Sequence, residues 1–578
     1  MNVHAKLTPE SSVDLDHELN ILAAAKDTWA RTSVQERVQI IAEIKEATAQ
    51  VAEEWATTAA RKKLIPEGSP LEGEEWISGP YAVIAACNGL METLSKVDGK
   101  AFLDPLPKRR LPSGQLALSV MPHSLWDHLL LSGITAEVWM QDSVTEGNLA
   151  QNAATAYDVP ITERKGKVAL ILGAGNIASI PPLDTFQKVF IENQVVLLKM
   201  NPVNDYLTPF FERALKPLID RNALRIIKGD GAVGAAACEH PLVEELHITG
   251  AGSTHDLIVW GAGEEAVKNK AAGTPKNPRH MTSELGAVCP TIVLPGQWSK
   301  ADLRYQAEQI ATQKMHNSGF NCIACQTLIM PKGWDQADAL LAELKAVFAE
   351  HSQRLPYYPG AGDRIDAFAD KSKGGSAVKR GAAPDMPIAD FDASDSAWMG
   401  QNEVFAPAMN VKWIDGSDVD AFLTAAVDFA NDELFGTLGA NIVIHPRTLS
   451  EMGKEAFERH LDRLHYGAIA VNTWTGANFL LTVLPWGGFP NSTLDNVGSG
   501  IGTVHNTFML ENVERTVVYA PWRPFPRGVL SGQFTLLPKP PWFITNKRAD
   551  KLGKQLVSFQ HKPGWLKIPG IFINALLG

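Results

Sequence analysis

The chain has 578 residues, 45% of them hydrophobic, with 53 Lys and Arg against 64 Asp and Glu for a formal net charge of −11. That is apolar material for two or three domains rather than one core, and the acidic balance leaves no basic excess for neutralising phosphates, which argues against a nucleic-acid binder. The five cysteines, Cys87, Cys238, Cys289, Cys322 and Cys325, are too sparse for a disulfide framework and lack paired C-x-x-C motifs, so no metal site is expected and a reducing cytoplasm is the natural setting.

The opening MNVHAKLTPESSVDLDHELN is polar and acidic, with no secretory leader in view. No run of about twenty uninterrupted apolar residues is present to span a bilayer. From His17 to Lys63, apolar residues recur at three- and four-residue spacing, which predicts packed helices, one of them opened by a capping box of Ser33 and Glu36. Gln115–Val120 alternates as a short strand. Lys167–Leu172 (KVALIL) is a continuous apolar run suited to a strand buried on both faces, and it ends in the small-residue turn GAGNIASIPP. A helix follows over Leu183–Asn193, a second buried strand over Gln194–Lys199, and a helix over Leu207–Asp220. Strands at Ala223–Lys228, Leu246–Thr249 and Thr291–Leu294 continue the alternation, the pattern of a doubly wound sheet. A second α/β series runs from about Ala301 to Asn472. The polar, Gly-rich Lys371–Pro387 reads as an exposed loop.

Three positions invite chemistry. In HNSGFNCIACQ, Cys322 follows Gly319 and Asn321, so a tight turn can present its sulfur. The bland alternative, a small buried hydrophobe, suits Cys325 better. In TSELGAVCP, Glu284 is either a base or a surface carboxylate at a strand edge. In GAGNIASIPP, Asn176 either shapes the turn or offers an amide donor to a developing oxyanion.

Taken in order from Lys167 to Ser492, these segments resemble the aldehyde dehydrogenase superfamily. Gly319-Phe320-Asn321-Cys322 is similar to its G-Q-x-C nucleophile context, with Phe320 in place of Gln. TSELGAVCP resembles its E-L-G-G stretch, with Ala287 replacing the second Gly. Glu284 would then be the base that activates the deacylating water, and Asn176 the oxyanion donor, although the Pro and Trp usual in its turn are missing. The resemblance implies NAD or NADP as cofactor. Lys199 would meet the adenine ribose. Gly229 (GDG) and Thr249, Gly250 and Ser253 (TGAGS) would lie along the pyrophosphate, with Glu403 and Phe405 (EVFAP) at the nicotinamide ribose and ring. Lys199-Met200-Asn201-Pro202 lacks the carboxylate that selects NAD, so the choice between NAD and NADP stays open. Gly467–Asn472 and Pro485–Gly488 resemble elements that line the site.

The implied fold is α/β and aldehyde dehydrogenase-like: a Rossmann-type cofactor domain, an α/β catalytic domain and a small oligomerisation flap. The expected divisions are an N-terminal helical part of the cofactor domain at 1–114, the flap at 115–164, the dinucleotide-binding domain at 165–283, the catalytic domain at 284–480, a return at 481–504, and a C-terminal extension at 505–578. The implied activity is oxidation of an aldehyde to an acid by a homodimer or homotetramer. A CoA-acylating dehydrogenase or acyl-CoA reductase, and a non-enzymatic scaffold, stay open beside it. The basic, Trp-bearing extension is either a strap packed on this or a neighbouring subunit, or a peripheral membrane contact.

Overall fold

Apolar runs that must be buried on both faces pair as parallel strands, and the computed structural model, which describes residues 14–351 and 353–578, gathers them into two sheets. The polar leader stretch, residues 1–13, lies outside the described residues. The strands are β1 (Lys108–Arg110), β2 (Leu116–Met121), β3 (Thr135–Met140), β4 (Val168–Leu172), β5 (Val195–Lys199), β6 (Leu224–Ile227), β7 (Glu245–Gly250), β8 (His280–Leu285), β9 (Cys289–Val293), β10 (Cys325–Lys332), β11 (Ser376–Arg380), β12 (Ala383–Asp390), β13 (Met409–Asp415), β14 (Gly439–Val443), β15 (Ala468–Val471), β16 (Gly500–Ile501) and β17 (Val513–Tyr519). The helices used below are α1 (Leu15–Ala30), α2 (Val34–Lys62), α3 (Gly73–Trp76), α4 (Ala82–Ser95), α5 (Ile180–Phe186), α6 (Lys300–Met315), α7 (Ala549–His561) and α8 (Ile568–Leu576).

One sheet runs β16-β8-β7-β4-β5-β6. It is parallel except for the short β16. The amphipathic α1 and α2 are the predicted N-terminal helices, and Ser33 accepts from the Glu36 amide to contribute its half of the expected capping box. The other sheet runs β1-β2-β3-β17-β15-β14-β9-β10-β13-β12-β11.

Four sequence expectations need correction. Thr291–Leu294 does not extend the first sheet: β9 lies between β14 and β10 in the second. The strand beside β7 is β8, which carries Glu284, and the small link Gly286–Val288 lets the chain pass from one sheet to the other. The helix read over Leu207–Asp220 is two short ones, Thr208–Ala214 and Lys216–Ile219. Lys371–Pro387 is no loop but holds β11 and the start of β12; β11 is an edge strand with exposed Ser376, Ala377 and Lys379, and an edge reads as polar. The supposed extension after 505 contains β17, a strand inside the second sheet, whose Val517 and Val518 are fully buried.

Strand β17 also bears on the flap. It pairs antiparallel with β3 and parallel with β15, so β1, β2 and β3 join this chain's own sheet. Past β17 the chain is tied down along its length. Trp522 is buried edge-on to Trp298, Arg523 pairs with Asp302 at 2.8 Å, and Lys539 pairs with Glu308 at 2.8 Å. This is the strap reading, on the same chain. It still leaves Leu530, Phe534 and Leu566 exposed at 90%, 84% and 97%.

A buried ion pair fixes the entry to α3. Lys63 Nζ lies 2.8 Å from Glu75 Oε1, both side chains almost wholly inaccessible, and the other Glu75 oxygen has no partner. Replacing Lys63 by Met would strand that carboxylate in the interior, a loss of about 3–5 kcal/mol. Urea denaturation of Lys63→Met should show it, and the double variant Lys63→Met/Glu75→Leu should recover part of the loss.

Candidate active site

The turn before β10 sets the geometry. After α6 ends, Asn317 and Ser318 take positive φ values of 54° and 57°, and Gly319 takes 80°. Left-handed backbone over three successive residues reverses the chain and delivers Phe320, Asn321 and Cys322 to the end of β10. Two side-chain amides hold this reversal in place. Asn176 Nδ2 and Asn317 Nδ2 each donate to the Phe320 carbonyl at 3.0 Å, and Asn317 Nδ2 also reaches Asn176 O at 3.2 Å. Tyr357 Oη completes the knot, 3.0 Å from Asn317 Oδ1 and 3.2 Å from Asn176 O.

Cys322 and Asn176 line the same pocket of about 40 Å³, with Trp474, Phe479 and Trp486 among its walls. The Cys322 thiol and the Glu284 carboxyl lie close enough to act on each other's ionisation. Glu284 is 4% exposed and accepts a hydrogen bond from Trp486 Nε1 at 3.3 Å. Its strand β8 is flanked on both sides, which removes the strand-edge surface reading. Burial pushes the Glu284 carboxyl up to about 7, assisted by the like charge of Asp184 and opposed by Cys322 and Trp486. Burial, then the negative charge of Glu284, holds the Cys322 thiol well above its usual range. The resting pair is therefore a protonated thiol beside a carboxyl poised near neutrality. Cys325, three residues on, is fully buried among the apolar side chains of β10 and behaves as the structural cysteine.

Glu403 sits behind this pair. Burial and the charge of Glu284 push it up to about 8, against Lys314 and Arg364. One of its oxygens, Oε1, is buried without a hydrogen-bond partner. The other would lie 1.9 Å from a Cβ at Gly286, so only glycine fits there. Phe405, at a positive φ of 42°, packs against Phe320 and Tyr358 with ring centroids 5.8 and 5.2 Å away. A positive φ on an aromatic residue is strained backbone of the kind held only where the surroundings impose it.

A cleft of about 1130 Å³ opens at the carboxyl ends of β4, β5 and β7, where open α/β sheets bind ligands. Lys199, Thr249 and Gly250 line it, with Gly173, Gly231 and Tyr358. Burial lowers the Lys199 ammonium, against the charges of Asp230 and Asp205. Thr249 spends its hydroxyl on Asp184 at 2.9 Å. Four expected residues do not line the cleft: Glu403 and Phe405 lie outside its walls, as do Gly229 and Ser253. Gly229 packs on Val233, and Ser253 is exposed on the helix Gly252–Trp260; Gly231 and Thr254 take the wall positions. Asn317, Tyr357, Tyr358 and Asp184 escaped the sequence reading. The Pro-flanked Tyr357-Tyr358 pair and the polar HNSG run were the available signals.

The sign of the Glu284–Cys322 coupling gives a test. Glu284→Gln removes the negative charge that opposes ionisation of the thiol, so the thiol titrates at lower pH and more thiolate exists at pH 8. Iodoacetamide should alkylate Cys322 faster in that variant, read by peptide mass spectrometry; an equal or slower rate would show that the carboxylate does not restrain the sulfur.

The sequence profile of the aldehyde dehydrogenase family matches residues 191–356. A provisionally named aldehyde dehydrogenase of Staphylococcus aureus (strain USA300) is 26% identical over 314 residues, 50% of this chain and 58% of that protein, so the match spans little more than half of the relative. Among solved structures, the NAD-dependent aldehyde dehydrogenase from Sinorhizobium meliloti superposes with a TM-score of 0.58 at 17% identity, covering 90% of this chain and 89% of that one. The NADP-dependent glyceraldehyde-3-phosphate dehydrogenase from Bacillus halodurans, solved with NADP, gives 0.56 at 16% identity, covering 88% and 91%.

Proposed function

We propose that this chain, which matches the aldehyde dehydrogenase family profile over residues 191–356 and shares the fold of solved aldehyde dehydrogenases, oxidises an aldehyde to a carboxylic acid through a thioester on Cys322, with NAD or NADP as the oxidant. The observation that carries the reading is that Cys322 and Asn176 line one pocket, with the buried Glu284 near enough to the thiol to shift its ionisation. The residues present fit the cofactor. The cleft ends in glycines and in Lys199, and the unpartnered Glu403 Oε1 is an acceptor of the kind that a ribose hydroxyl satisfies. Lys199, Thr249 and Gly250 would hold the dinucleotide, with Glu403 and Phe405 towards its reacting end. Bound there, the nicotinamide supplies the hydride acceptor that turns a thiohemiacetal into a thioester. Solved relatives are named for NAD and for NADP, and both enter the assay below.

Each remaining step belongs to the chain's own side chains. The Cys322 thiol gives up its proton to solvent, and Glu284, whose carboxyl near 7 suits a base at neutral pH, stays free for the later step. The thiolate adds to the carbonyl carbon. Asn176 uses one amide N–H on Phe320 and has a second for the oxyanion. Glu284 then deprotonates water, which attacks the thioester; the acid leaves and the thiol is restored. The presence of a base at 284 favours water over CoA as acyl acceptor. A scaffold would not need a thiol, a buried carboxyl and an amide donor around one pocket.

We place the enzyme in the cytoplasm, since all five cysteines are unpaired; no helix among the described residues is long and apolar enough to cross a membrane. A homodimer or homotetramer would form without exchange of the flap, whose strands lie in the chain's own sheet. For a peripheral membrane contact, the exposed Leu530, Phe534 and Leu566 are the candidate residues. Flotation with liposomes tests it, and Leu566→Ser should weaken the association.

An aldehyde panel with NAD and NADP in turn, with and without CoA, tests the central reading. Cys322→Ala should lose at least about 10⁴-fold in kcat. Glu284→Gln should keep a stoichiometric burst of reduced cofactor and then turn over slowly. Steady-state turnover at the wild-type rate would remove Glu284 from the deacylation role, and CoA-dependent product formation would replace water with CoA.

A further inference from the structure

The pocket at Cys322, about 40 Å³, is the smaller of two adjoining hollows, so the rest of a long substrate must lie outside it. Two of its wall residues, Ile77 and Leu480, also line a second chamber, of about 100 Å³, built by α7, α8 and the Pro538–Trp542 run against Tyr81 and Trp126.

The chamber offers almost nothing polar. Asp127 is spent on the capping box of its own helix. Lys539 is paired with Glu308, and Gln560 with Asn88 and Tyr81. The buried indole N–H of Trp542 has no acceptor, a single neutral donor that cannot bind a charged head group. The remaining surface comes from side chains such as Leu556, Phe559 and Phe572.

The C-terminal helices that wall the chamber are fixed to the segment that carries Ile77. A Cβ at Gly73 would lie 2.4 Å from the Ala549 backbone, and one at Gly553 would lie 2.8 Å from the Trp76 Cβ. Helix α7 thus touches α3 at two glycine contacts, directly before Ile77. Asn88 donates to Gln560 O at 3.0 Å, and His561 meets Glu46 at 2.8 Å, holding the far end of α7. The hollow is a built part of the fold.

We propose that the substrate is an unbranched aliphatic aldehyde whose hydrocarbon tail passes between Ile77 and Leu480 into this C-terminal chamber while its carbonyl meets Cys322. The inference rests on the aldehyde-oxidising reading above and adds the substrate class to it. Each methylene that reaches the chamber leaves water for apolar surface, which should raise kcat/KM about fourfold; the gain stops once the chamber is full.

The test uses the full chain with the preferred cofactor and a series from propanal to dodecanal. kcat/KM should climb with chain length and then level. Ala575→Phe, which fills the chamber from α8, and Leu556→Asn, which makes its wall polar, should each lower the decanal-to-propanal ratio of kcat/KM at least tenfold. Binding of 1-decanol by calorimetry, without cofactor or turnover, should weaken at least tenfold in Ala575→Phe. A flat chain-length profile, or ratios unchanged in both variants, overturns the proposal. Absence of turnover with every aldehyde, together with decanol binding that Ala575→Phe weakens, leaves the chamber as a hydrocarbon site and removes the oxidative reading; absence of decanol binding removes the chamber.

Discussion

Two side-chain amides, Asn176 Nδ2 and Asn317 Nδ2, donate to one backbone oxygen, that of Phe320. Asn176 belongs to the turn after β4, in the six-stranded sheet, and Phe320 to the reversal before β10, in the eleven-stranded one. Neither sheet alone holds a nucleophile against a donor. The shared acceptor fixes the register between the sheets, and the Tyr357 hydroxyl bonds the Asn317 side-chain oxygen and the Asn176 backbone carbonyl. The knot continues outward, since the Asn317 amide N–H donates to Glu74, and Glu74 is paired with Arg354 at 2.8 Å. A polar network this deep is costly unless its members satisfy each other, and satisfied it specifies one arrangement.

The same logic explains the state of the sulfur. A thiol buried beside a carboxylate is held protonated by desolvation and by like charge. The carboxyl, buried in turn, rises to about 7 and becomes a proton acceptor suited to neutral pH. The two groups adjust one another, and neither would have these properties on a surface. Glu403 adds a third acidic group to the cluster and is held high by burial and by Glu284. The buried Lys314, itself lowered to about 8, supplies the opposing charge.

The C-terminal segment changes what the fold can accept. It contributes β17 to the middle of a sheet, then returns along α6 and packs α7 on α3 beside the catalytic pocket. Its basic residues, which in sequence invited a membrane reading, are in part spent inside the molecule: Arg515 is buried against Leu461 and Leu464 carbonyls, and Arg523 is paired with Asp302.

Local sequence determined a good deal. The runs Lys167–Leu172 and Gln194–Lys199 became β4 and β5 because continuous β-branched and aliphatic stretches have no other stable use in water. The Gly-Phe-Asn-Cys turn marked a presented sulfur through its small and amide residues. Edges and long-range partners were not legible. Lys371–Pro387 looked like a loop because an edge strand and a loop both present polar side chains to solvent, and only the pairing of β11 with β12 distinguishes them. Val513–Tyr519 was hidden in a tail because its partners, β3 and β15, lie about 380 and 48 residues back in the chain. Asp184 and Ile77 carry no local mark at all. Their roles come from contacts across sheets and helices, and such contacts exist only once burial has brought distant segments within hydrogen-bonding or van der Waals range.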